Sequence, residues 1–193
     1  MENGQENRLV QRAAEGEIEA FRVLFETHQD AVFRLACRLT GAHDLAEDLT
    51  QECFLGLIRY PGRFDARRGS LRHYLYGTIR NLVRQRWRAS RREIPLDDDA
   101  EADLPHVSAL EPGVDDGDVS KAVHAAIAAL PVLQREALVL FEFEELSLEQ
   151  IAGISGCDAG TVKSRLHRAR VRLRRALAPC RDGMRAAGSP RKP

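Results

Sequence analysis

What this chain lacks narrows its possible roles before any motif is considered. Its four cysteines, at 37, 53, 157 and 180, stand far apart and form no C-x-x-C pair. That spacing supports neither a disulfide framework nor a zinc site, so they read as reduced, small apolar side chains in a cytoplasmic protein. No apolar run approaches the roughly 20 residues that span a bilayer, and the N-terminus shows no secretory apolar segment, so membrane insertion is not expected. Alternating β-branched stretches are almost absent while helical spacing of apolar residues is frequent, which predicts an all-α fold. The histidines at 28, 43, 73, 106, 124 and 167 are dispersed and read as surface or packing residues. With no nucleophile constellation, acid-base pair, Gly-rich phosphate loop or metal-ligand spacing, the expectation is a non-enzyme without metal or cofactor.

Net charge is also missing, with 29 basic against 29 acidic side chains, but the charge is segregated along the chain. Between Pro95 and Ser120 lie nine acids, Asp97, Asp98, Asp99, Glu101, Asp103, Glu111, Asp115, Asp116 and Asp118, and no Lys or Arg. The flanking segments therefore carry nine net positive charges between them. Two small basic helical domains, residues 1–94 and 118–178, are predicted around an acidic flexible linker at 95–117, with a disordered tail at 179–193.

The densest signal runs from Leu146 to Arg175. Ser147 followed by Gln150 is a capping-box pattern that opens a short helix. Leu148, Ile151, Ala152 and Ile154 then recur at helical spacing, and Gly156 can take the positive φ of a tight helix-to-helix turn. Asp158 or Thr161 can cap a second helix whose Val162, Leu166, Ala169, Leu173 and Leu177 form a buried seam. Its other faces carry Lys163, Ser164, Arg165, His167, Arg168, Arg170, Arg172, Arg174 and Arg175, with no acid between 163 and 175. A helix-turn-helix offering Lys, Ser, His and Arg to base edges and later arginines to phosphates suits the major groove of duplex DNA.

Upstream, a short helix near Leu9 to Ala14 is predicted to give way to a longer one. Its inner face would hold Ile18, Phe21, Leu24, Phe25, Val32, Leu35, Ala36 and Leu39. Asp44 caps or opens a third helix that buries Leu45, Leu49, Phe54, Leu57 and Ile58 and exposes Asp48, Gln51 and Glu52. A basic loop from Arg63 to Gly69 leads to Ser70, the cap of a fourth helix running to about Arg92. There Leu71, Tyr74, Leu75, Thr78, Ile79, Leu82 and Val83 can face a bundle, while Arg72, Arg80, Arg84, Arg86, Arg88, Arg91 and Arg92 accumulate toward its end. The interleaved His73, Tyr76 and Trp87 admit two readings: stacking platforms for unpaired bases, or ordinary packing residues. The C-terminal domain would hold a helix to Leu130, then Pro131 as a first-turn proline of a helix to about Glu144.

Three stretches in this order, AEDLTQECFLGL at 46–57, YLYGTIRNLVRQRWR at 74–88 and IAGISGCDAGTVKSRLHRAR at 151–170, resemble the extracytoplasmic-function class of sigma-70 RNA polymerase sigma factors. The likeness covers roughly Ala20 to Arg92, as region 2, and Asp118 to Leu177, as region 4. It implies a subunit that binds core RNA polymerase, recognises minus-10 and minus-35 promoter elements and promotes initiation. By the same resemblance, Asp48, Gln51, Glu52 and Phe54 fall on the surface for the β′ clamp helices. Phe64, Arg67, Arg68, Asn81, Arg84, Gln85 and Arg88 fall on the minus-10 surface, where an extruded base is captured by Phe64 and the Asp65–Gly69 loop. Thr161, Lys163, Ser164, Arg165, His167, Arg168 and Arg170 fall on the minus-35 surface, Arg165 and Arg170 being better suited to phosphate or scaffold roles. The β flap of the polymerase and an anti-sigma factor are the further partners implied. The acidic linker reads either as a spacer or as a nucleic-acid mimic threading a basic polymerase channel. Two other functions stay open from the residues alone: a stand-alone helix-turn-helix repressor or activator, and a polymerase- or sigma-binding interaction module.

Overall fold

In the computed structural model, residues 3–90 and 118–178 are described. The acidic stretch at 95–117, Arg91, Arg92, Cys180 and the tail from 179 lie outside them. Among the described residues there is no strand. The N-terminal group is α1 (Asn3–Ala14), α2 (Ile18–Thr40), α3 (His43–Arg59), a 3₁₀ turn (Pro61–Arg63) and α4 (Leu71–Ser90). The C-terminal group is α5 (Asp118–Ala128), α6 (Val132–Glu142), α7 (Leu148–Ser155) and α8 (Ala159–Ala176).

The central helix of the first group is α2. Its inward row is Ala20, Leu24, His28, Val32, Leu35, Ala36 and Leu39, all buried at steps of three and four. Ile18 was expected on this row but is 82% exposed. At 100° per residue it lies about 200° around the helix from Ala20, on the solvent side. A histidine holds the middle of the row because α1 starts earlier than its apolar residues suggest, at Asn3, and brings Glu6 to meet it. One oxygen of the buried Glu6 lies 3.2 Å from Nε2 of His28, and the other accepts the Leu71 N–H at 3.3 Å. A single carboxylate thus ties α1 to α2 and to the start of α4. Burial is the larger influence on His28 and lowers its proton affinity, with Glu6 opposing.

Gly41, at φ 72°, ends α2 in the left-handed conformation that glycine adopts without penalty. The N-cap of α3 is Ala42, so Asp44 opens the helix from its first turn and does not cap it. For α4 the expected cap is present, Ser70 Oγ accepting the His73 N–H at 3.3 Å. Cys37 and Cys53 are buried thiols, and burial pushes them up to about 11 and about 12, which keeps them protonated and unreactive.

In the second group α6 is the hub. Pro131 is its N-cap and not a first-turn residue, and the helix stops at Glu142, short of the expected Glu144. Leu133 through Leu140 are all buried, including Gln134, Arg135 and Glu136, so this helix is enclosed on every side. One connected cluster of buried apolar side chains runs from Leu9 to Ala169 through both groups of helices. The two groups are packed against each other.

Candidate nucleic-acid interface

The helix-turn-helix is built from local hydrogen bonds. Gln150 N–H donates to Ser147 Oγ at 3.3 Å while Ser147 N–H donates to Gln150 Oε1 at 2.8 Å, a reciprocal cap that fixes the start of α7. Gly156, at φ 64°, makes the turn. Of the two expected caps for α8 it is Asp158 that serves, accepting the Thr161 N–H at 2.8 Å and the Thr161 hydroxyl at 2.6 Å. These bonds hold the Asp158 carboxyl below its ordinary range. Thr161 is therefore bound to the cap, which fixes where the following turns of α8 point.

Val162, Leu166 and Ala169 are buried along the seam of α8, leaving Lys163, Ser164 and His167 exposed on the opposite side. Arg168 lies beside them, half-buried, and donates to Ser164 Oγ at 3.0 Å. Arg170 is held by Glu142 at 2.6 and 3.0 Å and lies over the Phe141 ring, a scaffold position. Arg165 donates to the Cys157 sulfur at 3.5 Å across the turn.

The second basic surface is formed by α4 and the loop before it. Arg67 is fixed to Asp65 by its side chain at 3.1 Å and by its backbone N–H at 3.0 Å. Arg68, Asn81, Gln85 and Arg88 are exposed, and Arg84 is half-buried. Phe64 is buried, its ring 5.6 Å from that of Tyr74. A cavity of about 600 Å³ opens here, lined on one side by Phe64, Arg68, His73, Tyr74 and Asn81. It is lined as well by Glu149, Gln150, Gly153 and Ile154 of α7, in the helix-turn-helix.

Two residues counted among the accumulating cations and interleaved aromatics of α4 are elsewhere. Tyr76 is fully buried, so packing is its role here. Its phenol, pushed up to about 12 by burial and then by the facing carboxylate, stays protonated and donates to Glu144. Arg80 is 5% exposed and is ion-paired with Glu136 of α6, while its Nη2 donates to the Ser155 carbonyl at 3.0 Å. Trp87 is half-buried, with the Arg135 guanidinium 5.4 Å from its ring centroid.

These contacts belong to a polar seam between the helix groups. Glu144, itself buried, accepts from Arg38 at 3.0 Å and Arg72 at 3.1 Å as well as from Tyr76. Ser155 Oγ donates to Glu136 at 2.9 Å. Arg135 sends Nη1 to the Leu39 carbonyl at the end of α2, at 2.7 Å, and Nη2 to the carbonyls of Ala128 and Leu130. Burial lowers the Arg135 guanidinium to about 10. The signal for this seam was the run Gln134-Arg135-Glu136 inside an otherwise apolar helix, which calls for polar partners from other elements.

On α3, Asp48, Gln51 and Glu52 are exposed as expected, and Glu52 is bridged by Arg86 of α4 at 3.1 Å. Phe54 is buried, as its place in the inward apolar set of α3 predicts: it is 1% exposed, packed edge-on to Phe25 with ring centroids 5.0 Å apart. One residue on, about 100° around the helix, Leu55 is 56% exposed and supplies the apolar side chain of that face.

Residues 24–93 match the family model for sigma-70 region 2, and residues 120–173 match that for sigma-70, region 4. The RNA polymerase sigma-H factor of Pseudomonas aeruginosa is 33% identical over 187 residues, covering 91% of this chain and 95% of that protein. The chain belongs to the extracytoplasmic-function RNA polymerase sigma factors of the sigma-70 family. Another relative, the ECF RNA polymerase sigma factor SigE of Mycolicibacterium smegmatis, is 37% identical over 164 residues, which are 80% of this chain and 60% of that longer protein. Among solved structures, the sigma factor RpoE from Bartonella quintana, in complex with the anti-sigma factor NepR, superposes with a TM-score of 0.68. It is 28% identical, covering 83% of this sigma factor and 98% of that chain. No helix among the described residues is long and apolar enough to cross a membrane.

Proposed function

We propose that this sigma factor binds core RNA polymerase in the cytoplasm, reads a two-part promoter and helps to open it, catalysing no reaction itself. The observation that carries the reading is the pairing of two different nucleic-acid surfaces in one chain. The first is α8, which presents Lys163, Ser164 and His167 to solvent beside Arg168. Its rigid mounting on Ser147, Gly156 and Asp158 suits readout of minus-35 base edges in the major groove. Arg165, Arg170 and Thr161 then support the helix and its phosphate contacts.

The second is the cavity beside Phe64, Arg68, Tyr74 and Asn81, of a size that admits a nucleobase. Holding an extruded minus-10 base there offsets the few kcal/mol that unstacking costs. Arg67, Arg84, Gln85 and Arg88 supply the adjoining strand surface. The acidic face of α3, with Asp48, Gln51, Glu52 and the exposed Leu55, suits a basic helical surface such as the β′ clamp helices. In this reading the C-terminal helices also meet the β flap, and an anti-sigma factor holds the protein between uses. Transcription in vitro with purified core polymerase tests it. Initiation at a defined promoter only when this protein is added is the expected result; tight duplex binding without any polymerase-dependent initiation points to a stand-alone repressor or activator.

A further inference from the structure

We propose that the cavity lined by α4, the loop before it and α7 is a binding site for a free nucleoside phosphate, with groups from α7 completing it.

The lining divides by chemistry into parts that match base, sugar and phosphate. At about 600 Å³ the cavity lies within the range of small-ligand sites, roughly 300–1,000 Å³. Phe64, buried, and Tyr74, half-buried, set their ring centroids 5.6 Å apart and give a base an aromatic surface. The side-chain oxygen of Asn81 accepts from Arg80 at 3.2 Å, and that of Gln150 accepts from the Ser147 N–H at 2.8 Å. Both amides are thereby oriented, and each keeps its NH₂ as a donor for the ring nitrogens and carbonyls of a base. Arg68 is exposed and makes no ion pair among the described residues, because the neighbouring acid, Asp65, is held by Arg67 at 3.1 Å. A guanidinium in that position suits a phosphate. Glu149 would repel one. Its carboxyl, held below the ordinary range by its own backbone N–H and then by Ser147, is an ionised acceptor suited to ribose hydroxyls. The sugar therefore lies toward α7 and the phosphates toward Arg68.

Two glycines argue that the space serves a ligand. Gly77 of α4 and Gly153 of α7 both line the cavity from inside helices, where glycine is weaker than alanine. Neither has a positive φ, and a Cβ at either would meet nothing within 4 Å. Neither the turn of the backbone nor a packed neighbour requires them. A mere packing gap would gain from side chains at these positions, whereas a site for a flat ring would lose its floor.

The binding itself does not need the proposed function. Its consequence rests on that reading: a free nucleotide and an extruded promoter base share Phe64, Tyr74 and Asn81, so they compete. Calorimetric titration of the full chain with ATP, GTP, CTP and UTP in turn tests the site. At least one should saturate at one-to-one below about 1 mM, and inorganic triphosphate alone should bind at least tenfold more weakly. Gly153→Leu should weaken the nucleotide tenfold or more while circular dichroism shows no loss of helix. Arg68→Ala, a change at an exposed side chain, should weaken it about tenfold as well. The proposal is overturned if no nucleotide saturates, if triphosphate binds as tightly as the nucleotide, or if the folded Gly153→Leu protein or Arg68→Ala binds like wild type. Failure of the wild-type protein to initiate transcription with core polymerase instead overturns the sigma reading and leaves the titration untouched.

Discussion

Helices α4 and α8 are both rich in arginine, yet the structure uses them differently. On α4, Arg80 is buried against Glu136, Arg72 is drawn to Glu144 and Arg86 to Glu52. On α8, the acid-free stretch leaves Lys163, Ser164 and His167 facing solvent, and Arg170 bridges back to Glu142. Basic composition alone therefore does not define a binding face. What separates the two helices is whether carboxylates on other elements reach the cations first. Arg72, Arg80 and Arg86 of α4 already have anions within the protein, whereas Lys163, Ser164 and His167 of α8 face solvent.

The largest way to break this contrast is to remove the anion from α4. Glu136→Ala leaves Arg80 buried and without its carboxylate, an arrangement that costs about 3–5 kcal/mol when one partner of a buried pair is deleted. Urea unfolding of the full chain measures it. A loss no larger than that of an exposed pair would mean Arg80 swings out to solvent and was never committed to the seam. On α8 the matching change is Arg168→Ala. Its expected effect is on choice between promoters, about 1–3 kcal/mol at the contacted base. Competitive binding of minus-35 duplexes that differ at single positions reads this out. Equal discrimination by wild type and variant would remove Arg168 from base readout.

The difference between the helices was only half legible in the sequence. The elements of α7 and α8 follow from local rules, because capping boxes, left-handed glycines and apolar seams act within a few residues. Ser147, Gly156 and the seam from Val162 to Ala169 are where those rules put them. That Arg80 of α4 is buried is decided by Glu136 of α6, more than 50 positions away, and helical spacing carries no information on that. Tyr76 shows the same limit, since Glu144 meets its phenol from another element; the burial of Phe54, by contrast, follows from its spacing along α3. Glu6 meets His28 across 22 positions only because α1 begins at Asn3. The apolar pattern starting at Leu9 could not reveal that pairing.

A smaller effect tests the mounting of α8. Ser147→Ala removes the hydroxyl that accepts the Gln150 N–H and should cost about 1 kcal/mol, the usual loss for an N-cap. Because the cap sits on α7, thermal unfolding should shift modestly and minus-35 affinity should fall with it. A variant with unchanged melting but much weaker duplex binding would place Ser147 itself against DNA.

The smallest expected change is also the sharpest on where α4 ends its work inside the protein. Arg86 and Glu52 pair at 3.1 Å with side chains 53% and 46% exposed, so water and salt screen them. Arg86→Ala should alter stability by under about 1 kcal/mol, as for most exposed pairs. It leaves the Glu52 carboxylate uncompensated on the acidic face of α3, beside Asp48 and Gln51. If that face meets a basic polymerase surface, association with core polymerase should quicken at low salt and the gain should fade as salt rises. Slower association would mean that Arg86 faces the polymerase or its DNA directly, and would move the boundary between inward-facing and outward-facing cations on α4 one turn earlier.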